Sequence, residues 1–217
     1  MISDVLEGKI QDAYRTLRLA AEMSKTYYEK PLIITYSGGK DSDVLAQLAF
    51  ECLEPSDFEI LNSHTTVDAP ETVYYIRERF KEWEEKGVKC TVNYPHYKDG
   101  RPMSMWSLIV DKEFPPSRIQ RYCCAKLKEA STPNRFVAVG VRAEESVNRR
   151  GRETFSIRGR NKDERYHYDT AHVEEVFHES LEKTEGGGKK RIPVGLPDYQ
   201  KGKRKQRFDM QSNLQIS

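Results

Sequence analysis

Six consecutive residues, Ser37-Gly38-Gly39-Lys40-Asp41-Ser42, bring together two hydroxyls, two glycines, an ammonium and a carboxylate. They fall between a short apolar, β-branched run and a stretch with helical periodicity. At such a junction the first N–H groups of the helix have no partner within the helix and carry a partial positive charge. Glycines let an anion approach the backbone with no Cβ in the way, Ser37 and Ser42 offer hydroxyl donors, and Lys40 adds a full charge. Together these make a phosphate cradle. The spacing is neither that of a G-x-x-x-x-G-K-[ST] loop nor that of a G-x-G-x-x-G turn. A plainer reading uses the same residues: Gly38-Gly39 make a tight turn and Asp41 or Ser42 caps the helix.

Other groups are candidates for the same chemistry. Gly140-Val141-Arg142 leaves the end of a later apolar run, so Arg142 can reach the sheet edge that carries the 37–42 loop and grip a phosphate or sulfate with two parallel hydrogen bonds. Pairing with Glu144 or Glu145 is the alternative. Asp41, or Asp43, could hold Mg²⁺ against phosphates, or merely favour the helix dipole. Asp68 and Glu71 stand at another helix start, as caps or as ligand contacts.

The elements that must position these residues alternate along the chain. Ile10, Ala13, Tyr14, Leu17, Ala20 and Ala21 recur at helical spacing, predicting a helix over 4–28 that Pro31 ends. Residues 32–36, 58–61, 88–92 and 136–141 read as short buried strands. Val44, Leu45, Leu48, Ala49, Cys52 and Leu53 mark one helix face. Val73, Ile76, Phe80 and Trp83 mark another, which begins near Pro70 and stops at Gly87. Strands alternating with helices imply a parallel sheet with both faces covered. Residues 93–116 read as irregular, with a turn of helix around 103–110. Residues 117–130 read as helical, 142–165 as a basic loop, and 170–183 as one more helix.

Composition narrows the function classes. The 217 residues carry a net charge of +2 and suit one domain plus an appendage. No run of 18 apolar residues is present, so no membrane span is expected. No basic-then-apolar leader opens the chain. Four cysteines without regular spacing make no disulfide framework, and a cytoplasmic setting is the default expectation. Charge is uneven. Residues 186–217 hold eight basic and two acidic residues. The expected division is therefore a folded domain over 1–185 and a basic, poorly ordered or atypical tail over 186–217. Nucleic-acid binding would run only through that tail.

Here the chain resembles a known family. Ser-Gly-Gly-x-Asp-Ser after a first strand is the signature of the PP-loop adenine nucleotide α-hydrolases. Three further segments resemble the phosphoadenosine phosphosulfate (PAPS) reductase family: Val67-Asp68-Ala69-Pro70-Glu71-Thr72, Arg121-Tyr122-Cys123-Cys124-Ala125-Lys126-Leu127-Lys128, and Gly140-Val141-Arg142-Ala143-Glu144-Glu145-Ser146. The resemblance implies an α/β fold with a twisted, mostly parallel five-stranded sheet and helices on both faces, adenine nucleotide α-hydrolase-like and Rossmann-like. It implies ATP or PAPS as the nucleotide, with Mg²⁺ on Asp41 if ATP is the substrate. The nucleotide contacts it implies are Ser37, Gly38, Gly39, Lys40, Asp41, Ser42, Asp68, Arg121, Arg142 and Glu145. Lys40, Asp41, Cys123 and Cys124 are the catalytic candidates. A thiol or sulfur-transfer partner protein fits the same resemblance, since related domains serve DNA phosphorothioation. Sheets of this kind often pair into homodimers.

Cys123-Cys124 is the informative thiol pair. Arg121, Lys126 and Lys128 surround it, and a positive setting favours thiolate. One thiolate could attack the sulfur of PAPS, the pair could ligate iron, or it could carry sulfur between molecules. Two small, half-buried side chains at a helix start are the bland alternative. No cysteine follows Cys124, and Cys52 and Cys90 fall in apolar patterns. A complete [4Fe-4S] site from one chain is therefore not expected. His172 and His178 are six apart, which puts them on different sides of a helix, so they make no zinc pair. The family's Glu-Cys-Gly-x-His segment near the C-terminus is missing, which predicts an altered or shortened family C-terminus from about residue 185 and leaves a nucleotide- or partner-binding protein without turnover as the alternative to an enzyme.

Overall fold

The computed structural model describes residues 4–128, 132, 135–142, 154–158, 165–168, 178 and 207–210. Helix α1 (Asp4–Tyr28) buries Ala13, Leu17, Ala20, Ala21 and Met23 along one stripe. Its end is fixed by Glu29 in the left-handed region (φ 54°) and by Ser24 Oγ, which donates to the Lys30 carbonyl at 2.8 Å.

Four strands then build a wholly parallel sheet: β1 (Leu32–Thr35), β2 (Phe58–Ser63), β3 (Lys89–Asn93) and β4 (Val137–Ala138). Helix α2 (Lys40–Cys52) connects β1 to β2, and α3 (Pro70–Glu85) connects β2 to β3. The spatial order is β3-β2-β1-β4. The chain therefore steps outward from β1 in one direction and then returns to add β4 on the other side. At such a reversal the loops after β1 and β4 diverge and leave a crevice at the carboxyl ends of the strands. The 37–42 loop and Gly140 stand at that reversal.

β1 is buried almost throughout, and its apolar side chains enter a core shared with Phe58, Ile60, Phe80, Trp83 and Phe136. Tyr36 sits edge-on to Trp83, ring centroids 4.8 Å apart, so the residue that leads into the loop is locked from α3. The four strands agree with the sequence reading, and the sheet flanked by helices is the fold that the resemblance implied. The described sheet has four strands rather than five. β4 is also shorter than residues 136–141 suggested. Thr35 Oγ1 takes the Ala138 carbonyl at 3.0 Å, and the chain then turns past α2 instead of continuing the ladder.

Three regions depart from expectation. α4 (Met105–Lys112) is a full helix where only a turn was foreseen, started by a reciprocal capping box between Ser104 and Ser107. Within the stretch expected to be a loop, β5 (Phe155–Arg158) pairs antiparallel with β6 (Arg165–Tyr168) and with β7 (Arg207–Met210). The alternation in Phe155-Ser156-Ile157 is too brief to stand out in so charged a segment. β7 lies within the basic tail; the rest of that tail, and the helix expected over 170–183 apart from His178, lie outside the described residues. Of the helix expected over 117–130, residues 122–128 are helical, with Cys124–Lys128 a π-helical turn, 117–121 are not, and 129–130 lie outside the described residues. Among the described residues no helix is long and apolar enough to cross a membrane.

The edge of the sheet away from the crevice carries a nearly buried Arg135–Glu59 pair flanked by the exposed Lys89. Arg135 Nη2 donates to Glu59 Oε1 at 2.6 Å and to the Pro31 carbonyl at 2.7 Å, while Lys89 Nζ lies 3.2 Å from Glu59 Oε2. Among the described residues Arg135 Nε is buried without a hydrogen-bond partner, and Glu59 is the carboxylate paired with this guanidinium. Glu59→Gln should lower unfolding free energy by about 1.5 kcal/mol, read by urea denaturation. An unchanged midpoint would mean that the pair is screened.

Candidate functional site

The loop after β1 is shaped by its own side chains. Gly38 has φ +74°, and a Cβ there would meet Ile76 Cγ1 at 3.0 Å and Thr72 Cγ2 at 3.2 Å. Glycine is thus needed both for the backbone turn and for α3 to pack close. Ser42 is buried. Its hydroxyl accepts from the Ser37 N–H at 3.2 Å and donates to the Gly39 carbonyl at 2.7 Å. Ser37 Oγ lies 3.2 Å from the same oxygen. Ser42 therefore holds the loop's curvature and is not a free donor for an anion, the role its type suggested.

Gly39 occupies the N-cap of α2 with extended backbone and no side-chain cap. The alternative reading, in which Asp41 or Ser42 caps the helix, does not describe this start. A Cβ on Gly39 would meet only Ser37 Oγ, at 3.5 Å, so this side of the loop is open. Lys40 is exposed and makes no ion pair among the described residues. The first amides of α2, an ammonium and an open glycine therefore share one place.

The loop after β4 comes to the same point. A Cβ on Gly140 would fall 2.8 Å from the Asp41 carbonyl oxygen. Glycine here allows backbone to lie on backbone. Two residues later Arg142 Nε donates to Asp41 Oδ2 at 3.0 Å. Arg142 thus reaches the 37–42 loop, with Asp41 as one of its partners. Glu145 lies outside the described residues.

The remaining carboxylates have other work. Asp43 accepts from Tyr36 Oη at 2.6 Å and from Tyr75 Oη at 3.2 Å, tying α2 to β1 and α3. Burial, then the bond to Asp43, pushes the Tyr36 hydroxyl's pKa far above the usual tyrosine range. Asp43 is thus a latch between elements, which leaves Asp41 as the carboxylate at the loop. Asp68 does not cap α3, whose N-cap is Ala69 with no side-chain bond. It accepts instead from Thr65 Oγ1 at 2.7 Å and from the Thr65 N–H at 3.2 Å, bracing a turn in which Thr66 is left-handed (φ 67°). Thr66 Oγ1 in turn accepts from the Met105 N–H at 2.9 Å, so the loop after β2 is fastened to α4. Glu71 is exposed in the first turn of α3.

The cysteines form a separate group. Arg121 Nη2 donates to Cys124 Sγ at 3.4 Å, and Tyr122 packs edge-on against Phe114, centroids 5.6 Å apart. The positive surroundings were expected to favour thiolate. At Cys123 burial acts the other way and, with Cys124 beside it, raises the thiol pKa. Iodoacetamide should therefore label Cys123 more slowly than a free cysteine at about pH 8, with the rate still climbing above the ordinary thiol range. Mass mapping of labelled peptides reads this, and labelling faster than free cysteine would refute it.

Burial also pushes Cys52 up to about 11 and Cys90 up to about 12, and both pack against the core. The described thiols thus do not fit a four-thiolate cluster: two adjoin one another and two belong to the core. Among the described residues no three His, Cys, Asp or Glu side chains gather as a metal site.

What the sequence missed are the fixing contacts. Tyr75 on Asp43, and the Gly140 approach to Asp41, carry no local sequence signal, because they join positions far apart in the chain; Tyr36 is only seven residues from Asp43, but the turn between them hides the contact.

Comparison with known proteins bears on the family and on the fold. The family model described as the phosphoadenosine phosphosulfate reductase domain matches residues 31–177. In fold the chain is similar to the U34-tRNA thiolase NcsA from Methanococcus maripaludis with its [4Fe-4S] cluster, at 18% identity and a TM-score of 0.48, covering 97% of this chain and 61% of the thiolase. The chain thus spans less than two thirds of that protein's length. No curated protein matches.

Proposed function

The chain belongs to the phosphoadenosine phosphosulfate reductase domain family, and from that premise we propose that it is a nucleotide-binding enzyme of sulfur metabolism or sulfur transfer. It holds ATP or PAPS at the crevice between the loops after β1 and β4. One observation supports this above the others: Arg142 and Asp41, 101 residues apart, meet at 3.0 Å beside an uncapped helix N-terminus. Backbone amides of α2, Lys40 and the Arg142 guanidinium then face the anionic part of the nucleotide.

With ATP, a nucleophile of the acceptor attacks the α-phosphorus. The bond from that phosphorus to the bridging oxygen breaks, and pyrophosphate leaves with the electron pair. Lys40 and the α2 amides hold the charge that develops, and positioning does most of the work. Asp41 fits a divalent cation, since its Oδ1 makes no hydrogen bond among the described residues and Mg²⁺ is commonly held by one or two carboxylates plus phosphate oxygens. Bound there, Mg²⁺ would offset phosphate charge.

With PAPS, a thiolate attacks sulfur and adenosine 3′,5′-bisphosphate leaves. The raised Cys123 thiol weighs against that route. The same observation, with no cysteine after Cys124, favours a second reading in which the chain binds a nucleotide or a partner without turnover. The test is incubation with Mg²⁺ and either ATP or PAPS plus a dithiol, following pyrophosphate, sulfite and thermal shift together. Pyrophosphate identifies adenylation and sulfite identifies reduction. A shift without product identifies binding alone, and no shift with either nucleotide overturns the proposal.

A further inference from the structure

The parallel sheet has an open side at β3. In the order β3-β2-β1-β4, β3 pairs with β2 and, among the described residues, with no other strand. An edge strand presents a row of unpaired N–H and C=O groups, and proteins ordinarily blunt it with proline, a bulge, charges or a covering segment. β3, Lys89-Cys90-Thr91-Val92-Asn93, has no proline, keeps one-to-one register with β2 along its whole length, and carries a single charge. That charge stands at the first position and is matched by Glu59 at 3.2 Å. Lys89 and Thr91 are exposed, and Cys90 and Val92 are half-buried.

The ladder fixes which backbone groups face outward. The His64 N–H donates to the Asn93 carbonyl at 3.0 Å, so Asn93 turns its backbone towards β2. Direction alternates along a strand. Thr91 and Lys89 therefore do the same, while Cys90 and Val92 turn their N–H and C=O groups outward. Now let an identical strand pair antiparallel about a two-fold axis at Thr91. Cys90 stands opposite Val92 of the second copy, and Val92 opposite its Cys90, each pair exchanging both N–H···O=C bonds. Thr91 faces Thr91, and Lys89 faces Asn93, so no like charges oppose each other. Cys90 and Val92, which pack against the core on one side, gain apolar cover from each other across the axis.

We propose that β3 is the edge through which two copies of this chain join, antiparallel about Thr91, so that one sheet runs through both. A foreign strand would meet the same outward amides. The second copy is favoured because its own sequence sets a neutral amide against the strand's charge and an apolar residue against each half-buried one.

Sedimentation equilibrium of the full chain tests this. Wild-type protein is expected to be a concentration-dependent dimer. Val92→Pro removes an N–H that β2 does not use, at an edge position where proline is tolerated. It should weaken self-association at least about tenfold, with far-UV circular dichroism as in wild type. Thr91→Cys should give a disulfide-linked dimer under mild oxidation. Facing residues of a non-hydrogen-bonded antiparallel pair lie about 4.5 Å apart at Cα, within disulfide reach. Peptide mapping should find position 91 joined to position 91, and adding Val92→Pro should abolish the link. If Val92→Pro does not fold, the link in Thr91→Cys alone decides. A wild-type chain that stays monomeric leaves the edge to a foreign strand or to solvent and overturns the proposal. A dimer that persists in folded Val92→Pro overturns it too, as does one in which the Thr91→Cys thiols stay unlinked.

Discussion

Gly39→Val is expected to weaken nucleotide or pyrophosphate binding by at least about 100-fold, or about 2.7 kcal/mol, while the protein stays folded. The two halves of that expectation come from different facts. Gly39 has φ −95° and ψ 157°, extended backbone that a β-branched residue adopts readily. A Cβ there would meet only Ser37 Oγ, at ordinary contact distance. The folded state therefore tolerates valine. The open side of the loop does not: two methyl groups would stand over the first amides of α2, where an anion must come within hydrogen-bond distance. Calorimetric titration together with a melting curve reads both halves. A melting temperature near wild type with unchanged affinity would remove the loop from the site.

Gly140→Val is expected to act through stability instead, lowering it by about 3 kcal/mol. Gly140 is not in the left-handed region, so conformational freedom is not what glycine supplies here. Contact is. The nearest atoms to an added Cβ are the Asp41 carbonyl oxygen at 2.8 Å and its carbon at 3.2 Å, backbone atoms of a helix that cannot swing aside as a side chain would. Either β4 or the start of α2 must shift, and Arg142 would move away from Asp41 with it. Urea denaturation gives the first effect, and loss of anion affinity at temperatures where the variant is still folded gives the second. Wild-type stability in this variant would mean that the two loops do not lie against each other.

How much of this was legible beforehand follows from the range of each signal. The helix stripe over α1, the β-branched run of β1, the short apolar run of β2 and the glycine pair at 38–39 are local patterns, and local patterns fix local structure. Gly38 shows where that stops. Its positive φ is a turn signal, but its contact with Ile76 and Thr72 depends on where α3 returns. Asp43 was a candidate for metal because of its type and its place in a first turn. Two tyrosines from β1's end and from α3 claim it instead, and nothing near residue 43 in the sequence announces them. Asp68 similarly reads as a cap for α3 by position, yet its oxygens are taken by Thr65 just upstream. At Cys123 counting nearby basic residues gave the wrong direction, because sequence shows charge and conceals burial.

One arrangement in the sheet carries a mechanical meaning. β1 is sutured to β2 along its whole length, so the half of the crevice bearing Gly39 and Lys40 stands on a rigid abutment. The half bearing Arg142 follows a shorter strand, whose described pairing with β1 runs through Val137 and Ala138, with the Ile33 N–H also donating to the Phe136 carbonyl at 3.1 Å. Breathing at this end of the molecule is therefore lopsided: the guanidinium side yields first, and a ligand that bridges both halves acts as the missing stitch.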